Sequence, residues 1–338
     1  MSLIDPTSKI FYHLDMLQHF LRYYDLRVDS VFPISVEMDL SDGCNLKCSW
    51  CRFASVHKTT LMSAELAKKI LMELADVGVK SVVYSGGGEP LLNMKFGEIA
   101  EYGSSLGLDQ GIYTNGVNID KFLDVLSSEM KYVYISVDAA TSKTYEEIKG
   151  CDLFEQVLQN CSALIKMKRK SKVGLGFLVS PENIDDLLLF WRMSKGLNPD
   201  YIQYRPAVTD NPSKSCLLEA MQWLETIQNE KTIVAWYKFR DLAENNGERT
   251  YTQCYGHNFL GGISADGTVW VCLNHRYHEG FDIGNLQQQS FREIWRGEKR
   301  KEAIRRINVA TCPKLCRPHE LNKILSQLTK GNPHKNFL

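Results

Sequence analysis

The sequence predicts an α/β fold with a parallel sheet, followed by a small module built from a β-hairpin and a helix. Two observations predict it. Between residues 34 and about 245, strand-like runs alternate with helix-like runs, and beyond residue 250 glycine-rich turns and cysteines replace that alternation. The length of 338 residues allows one large domain or two ordinary ones.

The first 33 residues include KIFYHLDMLQHFLRYYDL, an amphipathic, aromatic-rich helix expected to pack against the sheet. ISVEMDL (34 to 40) alternates as a strand and opens the region 34 to 245. SAELAKKILMELADVG reads as a helix: Ser63 caps it, Leu66, Ile70, Leu71 and Leu74 share a face, and Gly78 ends it. The strand KSVVYSGGGEP follows. Three further strand and helix pairs are GLDQGIYTNG with NIDKFLDVL, KYVYISVDA with FEQVLQNCSALIKM, and KVGLGFLVS with IDDLLLFWRM. A sixth strand, DYIQYRPA, precedes a helical stretch from about 215 to 245. Residues 246 to 320 hold a hairpin turning at Asp266-Gly267 and the FREIW helix, and 321 to 338 form a helix end and a Gly/Pro/Asn-rich tail.

Forty Lys+Arg balance forty Asp+Glu, and 44% of residues are hydrophobic, the profile of an ordinary globular protein. Zero net charge removes the term that dominates binding to phosphate backbones, so a nucleic-acid polymer is disfavoured as partner. No apolar run is long enough for a membrane helix, and the expected location is the cytoplasm. In a reducing compartment the ten cysteines favour metal or catalytic roles over disulfides.

Cys44, Cys48 and Cys51 form C-x3-C-x2-C in the loop after the first strand. Structural zinc takes four closed ligands, and no fourth stands at the usual spacing. Three thiolates instead suit a 4Fe-4S cluster with one iron left open to a non-protein ligand. Cys254, Cys272, Cys312 and Cys316 form a second set, for which ligand count alone leaves zinc and iron-sulfur equal. Cys151, Cys161 and Cys216 fall in helical stretches and read as small buried hydrophobes.

CNLKCSWC, with Trp50 before its third cysteine, closely resembles the signature loop of radical S-adenosylmethionine (SAM) enzymes. The resemblance implies a partial (β/α)6 barrel. It also implies chelation of the open iron by SAM, Trp50 near the adenine, and reductive cleavage of SAM to a 5'-deoxyadenosyl radical. Gly87, Gly88, Glu89 and Pro90 match the family's GGEP motif, which binds the methionyl amine. Asn115, Ser136 and Asp138 end the third and fourth strands, where such barrels collect SAM contacts, although turn and cap chemistry would also use these residues. Arg205 ends the sixth strand as a clamp for a substrate anion or hydroxyl, while alternation turns Tyr204 away.

ADGTVWVC and IGNL…FREIWRG resemble the shortened SPASM module, or twitch domain, which tips the second set toward one auxiliary 4Fe-4S cluster. His257, Asn274, His275 and His278 stand near these cysteines; His257 and Asn274 are the candidates retained for substrate or cluster contact. Architecture and cysteine pattern resemble the 2-deoxy-scyllo-inosamine dehydrogenase subfamily, which implies oxidation of a small polar molecule, with Arg205, Asp138, His257 and Asn274 as catalytic candidates. The implied electron donor is a flavodoxin or ferredoxin. Peptide maturation and redox-neutral chemistry remain alternatives. The residues before ISVEMDL are too few for a fused leader-recognition domain. A non-enzymatic scaffold would have to account for the open three-cysteine loop and GGGEP together.

Overall fold

The computed structural model describes residues 9–24, 31–56, 58–207 and 213–331. Helix α1 (Leu14–Tyr23) leads into β1 (Ser35–Met38) and α2 (Ala64–Asp76). The alternation continues through β2 (Ser81–Tyr84), α3 (Phe96–Ser105), β3 (Asp109–Thr114), α4 (Leu123–Ser128) and β4 (Tyr132–Ser136). Two helices, α5 (Ser142–Lys149) and α6 (Phe154–Lys166), precede β5 (Lys172–Val179), α7 (Leu187–Leu197) and β6 (Tyr201–Pro206). Next come α8 (Lys214–Ile227), β7 (Thr232–Val234) and α9 (Trp236–Asn245). The C-terminal part holds β8 (Leu260–Ile263), β9 (Thr268–Trp270), β10 (Asp282–Asn285), α10 (Phe291–Arg296), α11 (Glu298–Arg305) and α12 (His319–Lys330).

Among the described residues one sheet runs β10-β9-β8-β1-β2-β3-β4-β5-β6-β7. Neighbours from β1 to β7 are parallel, the arrangement of a partial barrel with helices outside. Its inward face carries both bulk and space. Tyr132, Tyr134 and Tyr201 lie where a Cβ on Gly111, Gly176 or Gly174 would fall within 2.3, 1.9 and 2.1 Å of a ring or phenol atom, so glycine on the neighbouring strand admits each ring.

Helix α2 starts as expected, with Ser63 Oγ accepting from Leu66 N–H at 3.2 Å, and Gly78 closes the turn at φ +87°. Ala64, Ala67, Ile70, Leu71 and Leu74 face the core, while Leu66, expected on that face, is half-buried. Three expectations need correction. The stretch from 215 to 245 is broken by β7, three residues too short to show alternation. Cys151 lies between α5 and α6, whereas Cys161 and Cys216 are buried in helices. Helix α1 packs Leu17 and Phe20 against Phe259 and Leu325 of the C-terminal part rather than against the barrel. Strand β8 pairs in parallel with β1 as well as antiparallel with β9, so the hairpin continues the barrel sheet. The tail beyond Gly331 lies outside the described residues. No described helix is long and apolar enough to cross a membrane.

Candidate radical SAM and auxiliary cluster sites

Chemistry-bearing residues gather at the C-terminal ends of the parallel strands, the end where such barrels place active sites. The cysteine loop leaves β1 and is braced by α5, since Lys47 and Ser49 N–H bond to the carbonyls of Lys149 and Ile148. Cys44, Cys48 and Cys51 lie within electrostatic reach of one another. Burial pushes the Cys44 thiol up to about 11 and raises that of Cys48, against the pull of Lys149, so a bound cation is needed to hold them as thiolates.

The glycine loop after β2 is pressed between that cysteine loop and the C-terminal part. A Cβ on Gly88 would stand 1.9 Å from the Gly43 carbonyl oxygen, and one on Gly87 would stand 2.3 Å from the Tyr277 hydroxyl. Glu89 N–H bonds to Gly43 O at 2.8 Å. The Glu89 carboxylate is buried and accepts from Leu91 N–H, Thr114 Oγ1 and Asn115 N–H. It therefore splices the loop, whose short turn starts at Pro90, to the end of β3. Asn115 Nδ2 in turn donates to Asn45 Oδ1 at 2.7 Å and lies 3.9 Å from Cys44 Sγ.

Asp138, at φ +64°, is fully buried. Its carboxylate takes Lys149 Nζ at 2.5 Å, Ser136 Oγ at 2.7 Å and Leu178 N–H at 2.7 Å. The carboxylate is thus engaged by three donors, one of them the Ser136 hydroxyl. Burial works against the Lys149 ammonium, but Asp138 and the Cys48 thiol hold its pKa above the ordinary lysine value. Lys149 also lies 5.9 Å from the centroid of the half-buried Trp50 ring.

A second buried network ties the barrel to the C-terminal part. Arg276 pairs with Asp39 at 2.6 Å and Glu37 at 3.1 Å, Arg317 also pairs with Glu37, and Tyr277 donates to Asp42 at 2.8 Å. Asp39 accepts from Gly87 N–H, and burial pushes its carboxyl up to about 6. Arg276 and Arg317 escaped sequence reasoning because their partners are remote along the chain, and Lys149 because a separation of 11 positions from Asp138 matches no short spacing.

Cys254, Cys272, Cys312 and Cys316 converge as expected, each within electrostatic reach of others in the set. Burial raises the thiols, Cys254 to about 11 and Cys272 to about 12. Cys254 receives Asn322 Nδ2 at 3.3 Å and the His257 N–H, and Cys272 receives the Asn274 N–H. Cys312 lies 3.4 Å from His275 Nε2, and Arg249 and Tyr251 donate to Cys316. Thus His257 and Asn274 reach the cysteines through their amides. The His257 ring is buried against Arg300, and burial followed by that charge pushes its pKa down to about 3. His275, set aside in favour of His257, is the histidine whose ring meets a thiol. The Asn274 side chain instead accepts from Arg52 Nη1 at 3.2 Å, joining the two cysteine loops.

The donor sets fit iron-sulfur clusters. Both sets bring thiols together and meet them with N–H donors, as from Leu46 to Cys44 and from Asn322 to Cys254, surroundings that suit cluster-bound sulfur.

Arg205 reaches the mouth of the barrel from β6, its guanidinium 4.7 Å from the Tyr134 centroid and 5.7 Å from that of Tyr113. Tyr204 points the other way and donates to Leu187 O. Lys238, in the first turn of α9, is pushed down to about 8 by burial and then by the charge of Arg205. A cavity of about 630 Å³ lined by Arg169, Lys172, Asp200 and Lys231 opens at the opposite ends of β5 and β6, away from every cysteine set.

Residues 38–190 match the radical SAM superfamily, and residues 254–318 match the SPASM iron-sulfur cluster-binding domain. The AdoMet-dependent heme synthase of Methanosarcina barkeri is 26% identical over 295 residues, covering 78% of this chain and 82% of that protein. The GTP 3',8-cyclase of Synechocystis is 24% identical over 285 residues, covering 77% and 84% respectively. SuiB of Streptococcus suis, solved bound to the precursor peptide SuiA, shares the fold with a TM-score of 0.68 at 15% identity, over 90% of this chain and 73% of SuiB. By these matches the chain carries a radical SAM domain, which implies SAM and a 4Fe-4S cluster in its barrel, followed by an iron-sulfur SPASM domain.

Proposed function

We propose that this enzyme oxidises a small polar substrate of the sugar, aminocyclitol or nucleoside type by two electrons, as the 2-deoxy-scyllo-inosamine dehydrogenase subfamily does. When bound, SAM and the barrel cluster supply a 5'-deoxyadenosyl radical, and the auxiliary cluster supplies an electron acceptor. The substrate carbon loses a hydrogen atom, then a proton to a base and an electron, and becomes a carbonyl or imine. Cys44, Cys48 and Cys51 would hold the first cluster, with Trp50, Gly87, Gly88, Pro90 and Asn115 bordering SAM. Glu89 and Asp138 would fix that wall by the hydrogen bonds they accept, and Arg205 would contact the substrate.

The observation that carries this reading is the second cysteine set. Four thiols, each with a hydrogen-bond partner, would give every iron of a cubane a protein ligand, which suits electron transfer better than substrate chelation. The Arg52–Asn274 bond keeps the two cysteine loops adjacent. An external flavodoxin or ferredoxin would reduce the first cluster. The test is an anaerobic turnover of reconstituted protein with reductant, SAM and a panel of polyols, aminocyclitols and nucleosides. One 5'-deoxyadenosine per oxidised product is expected, and SAM regenerated at each turnover would replace oxidation with isomerisation. Peptide modification is the second reading, supported by the fold shared with peptide-bound SuiB; a peptide that stimulates SAM cleavage where the small molecules do not would favour it.

A further inference from the structure

The C-terminal edge of the sheet holds two cations that no described carboxylate approaches as an ion pair. Arg205 is the last inward residue of β6. Tyrosine rings support its guanidinium, yet its Nε is buried without a hydrogen-bond partner. Lys238 lies beside it because α9 starts at the end of β6: Ala235 N–H bonds to the carbonyl of Tyr204, the residue before Arg205, at 3.0 Å. The charge of Arg205 is felt at Lys238, as are those of Cys316 in the auxiliary set and of Glu320, while Tyr134 and, at longer range, Asp138 act on Arg205. The first turn of α9 has no side-chain cap, so its amides add field of the same sign.

Two like charges brought together in a partly desolvated place repel each other, and folding tolerates this where a ligand supplies the counter-charge. The neighbouring buried cations are treated differently: Lys149 is matched by Asp138, and Arg276 by Glu37 and Asp39. An Arg–Lys pair with no described carboxylate in ion-pair contact offers a planar fork for bidentate hydrogen bonds and a compact point charge, the combination suited to an oxyanion.

We propose that Arg205 and Lys238 form an oxyanion subsite that grips a carboxylate or phosphate carried by the substrate. The substrate class is thereby narrowed to anionic polar molecules, anchored at the end of β6 between the barrel mouth and Cys316. This rests on reading the strand ends as the substrate mouth, and it adds Lys238 as a binding residue.

The test is equilibrium dialysis of radiolabelled inorganic phosphate, and separately of acetate, against reconstituted holoenzyme with SAM. The proteins are wild type, Arg205→Gln, Lys238→Met and Lys238→Arg, each checked for iron content and melting temperature. One equivalent should bind to wild type, with affinity lowered about tenfold or more in R205Q and K238M and largely restored in K238R. The preferred anion assigns the substrate group as phosphate or carboxylate. No binding by wild type, or equal binding by wild type and K238M, overturns the proposal. Release of 5'-deoxyadenosine from SAM is measured on the same wild-type preparation. If that release is absent while phosphate binding follows the expected order, the enzymatic reading falls and the anion site stands.

Discussion

Replacing Lys149 with methionine strips Asp138 of its counter-charge at the heart of the barrel mouth. In the native chain the two groups are 2.5 Å apart, with side-chain exposures of 2% and 0%. At an effective dielectric of about 20, that separation corresponds to an attraction of ~7 kcal/mol before desolvation is charged against it. Removing one partner of a buried pair costs roughly 3–5 kcal/mol, because the survivor stays buried and uncompensated. Asp138 keeps the Ser136 hydroxyl and the Leu178 amide, each at 2.7 Å, so the lower end, about 3 kcal/mol, is expected. In a chain of this size that loss lowers the melting temperature by roughly 4 °C. The assay is anaerobic calorimetry of wild type, K149M and the double variant D138N/K149M, in which the orphaned charge is gone and most of the loss returns. A K149M protein melting within about 1 °C of wild type, or a double variant no more stable than K149M, would refute the argument.

Three further outcomes are expected. Gly88→Ala places a methyl 1.9 Å from a backbone oxygen of the cysteine loop, so the two loops must separate; a shift of about 1 Å should slow SAM cleavage roughly 100-fold, and a rate within a factor of three of wild type would count against the packing described. Asn322→Asp keeps the acceptor for Tyr255 and Gly256 N–H but removes the donor to Cys254 and adds negative charge, so the auxiliary cluster's midpoint potential should fall; an unchanged potential in an EPR redox titration of the Cys44/Cys48/Cys51→Ala background would remove Asn322 as a tuning group. His257 is held neutral in the fold, with a pKa of about 3 from burial and then Arg300, whereas the unfolded chain takes up that proton near about 6.5. The unfolded state therefore binds more protons below about pH 6.5, and His257's contribution is full above that value and lost as pH falls toward 3. His257→Asn should flatten the decline in denaturation midpoint between about pH 7 and pH 5, and parallel profiles for the two proteins would contradict this.

What sequence reading recovered was local or repeated. Ser63 and Gly78 announce α2 because a cap and a positive-φ turn are decided within a few residues. C-x3-C-x2-C and GGGEP are legible because cluster and SAM chemistry demand particular residue types at short spacing. Strand β7 was missed because three residues cannot display a period. The choice between His257 and His275 could not be made by proximity alone. Both lie three residues from a cysteine, and the turns decide that one offers an amide to Cys254 while the other brings its ring to Cys312.

The sequence by itself determined most of the order of elements, the parallel strands and the grouping of the cysteines into two sets, since each depends on neighbours along the chain. Only the tertiary structure decided the electrostatics of the mouth. Arg276 meets Asp39 across 237 positions, Arg52 meets Asn274 across 222, and Lys238 lies beside Arg205 because α9 starts where β6 ends. Charge interactions depend on distance through space and on burial, and neither is written in a linear spacing until the sheet has brought the strand ends together.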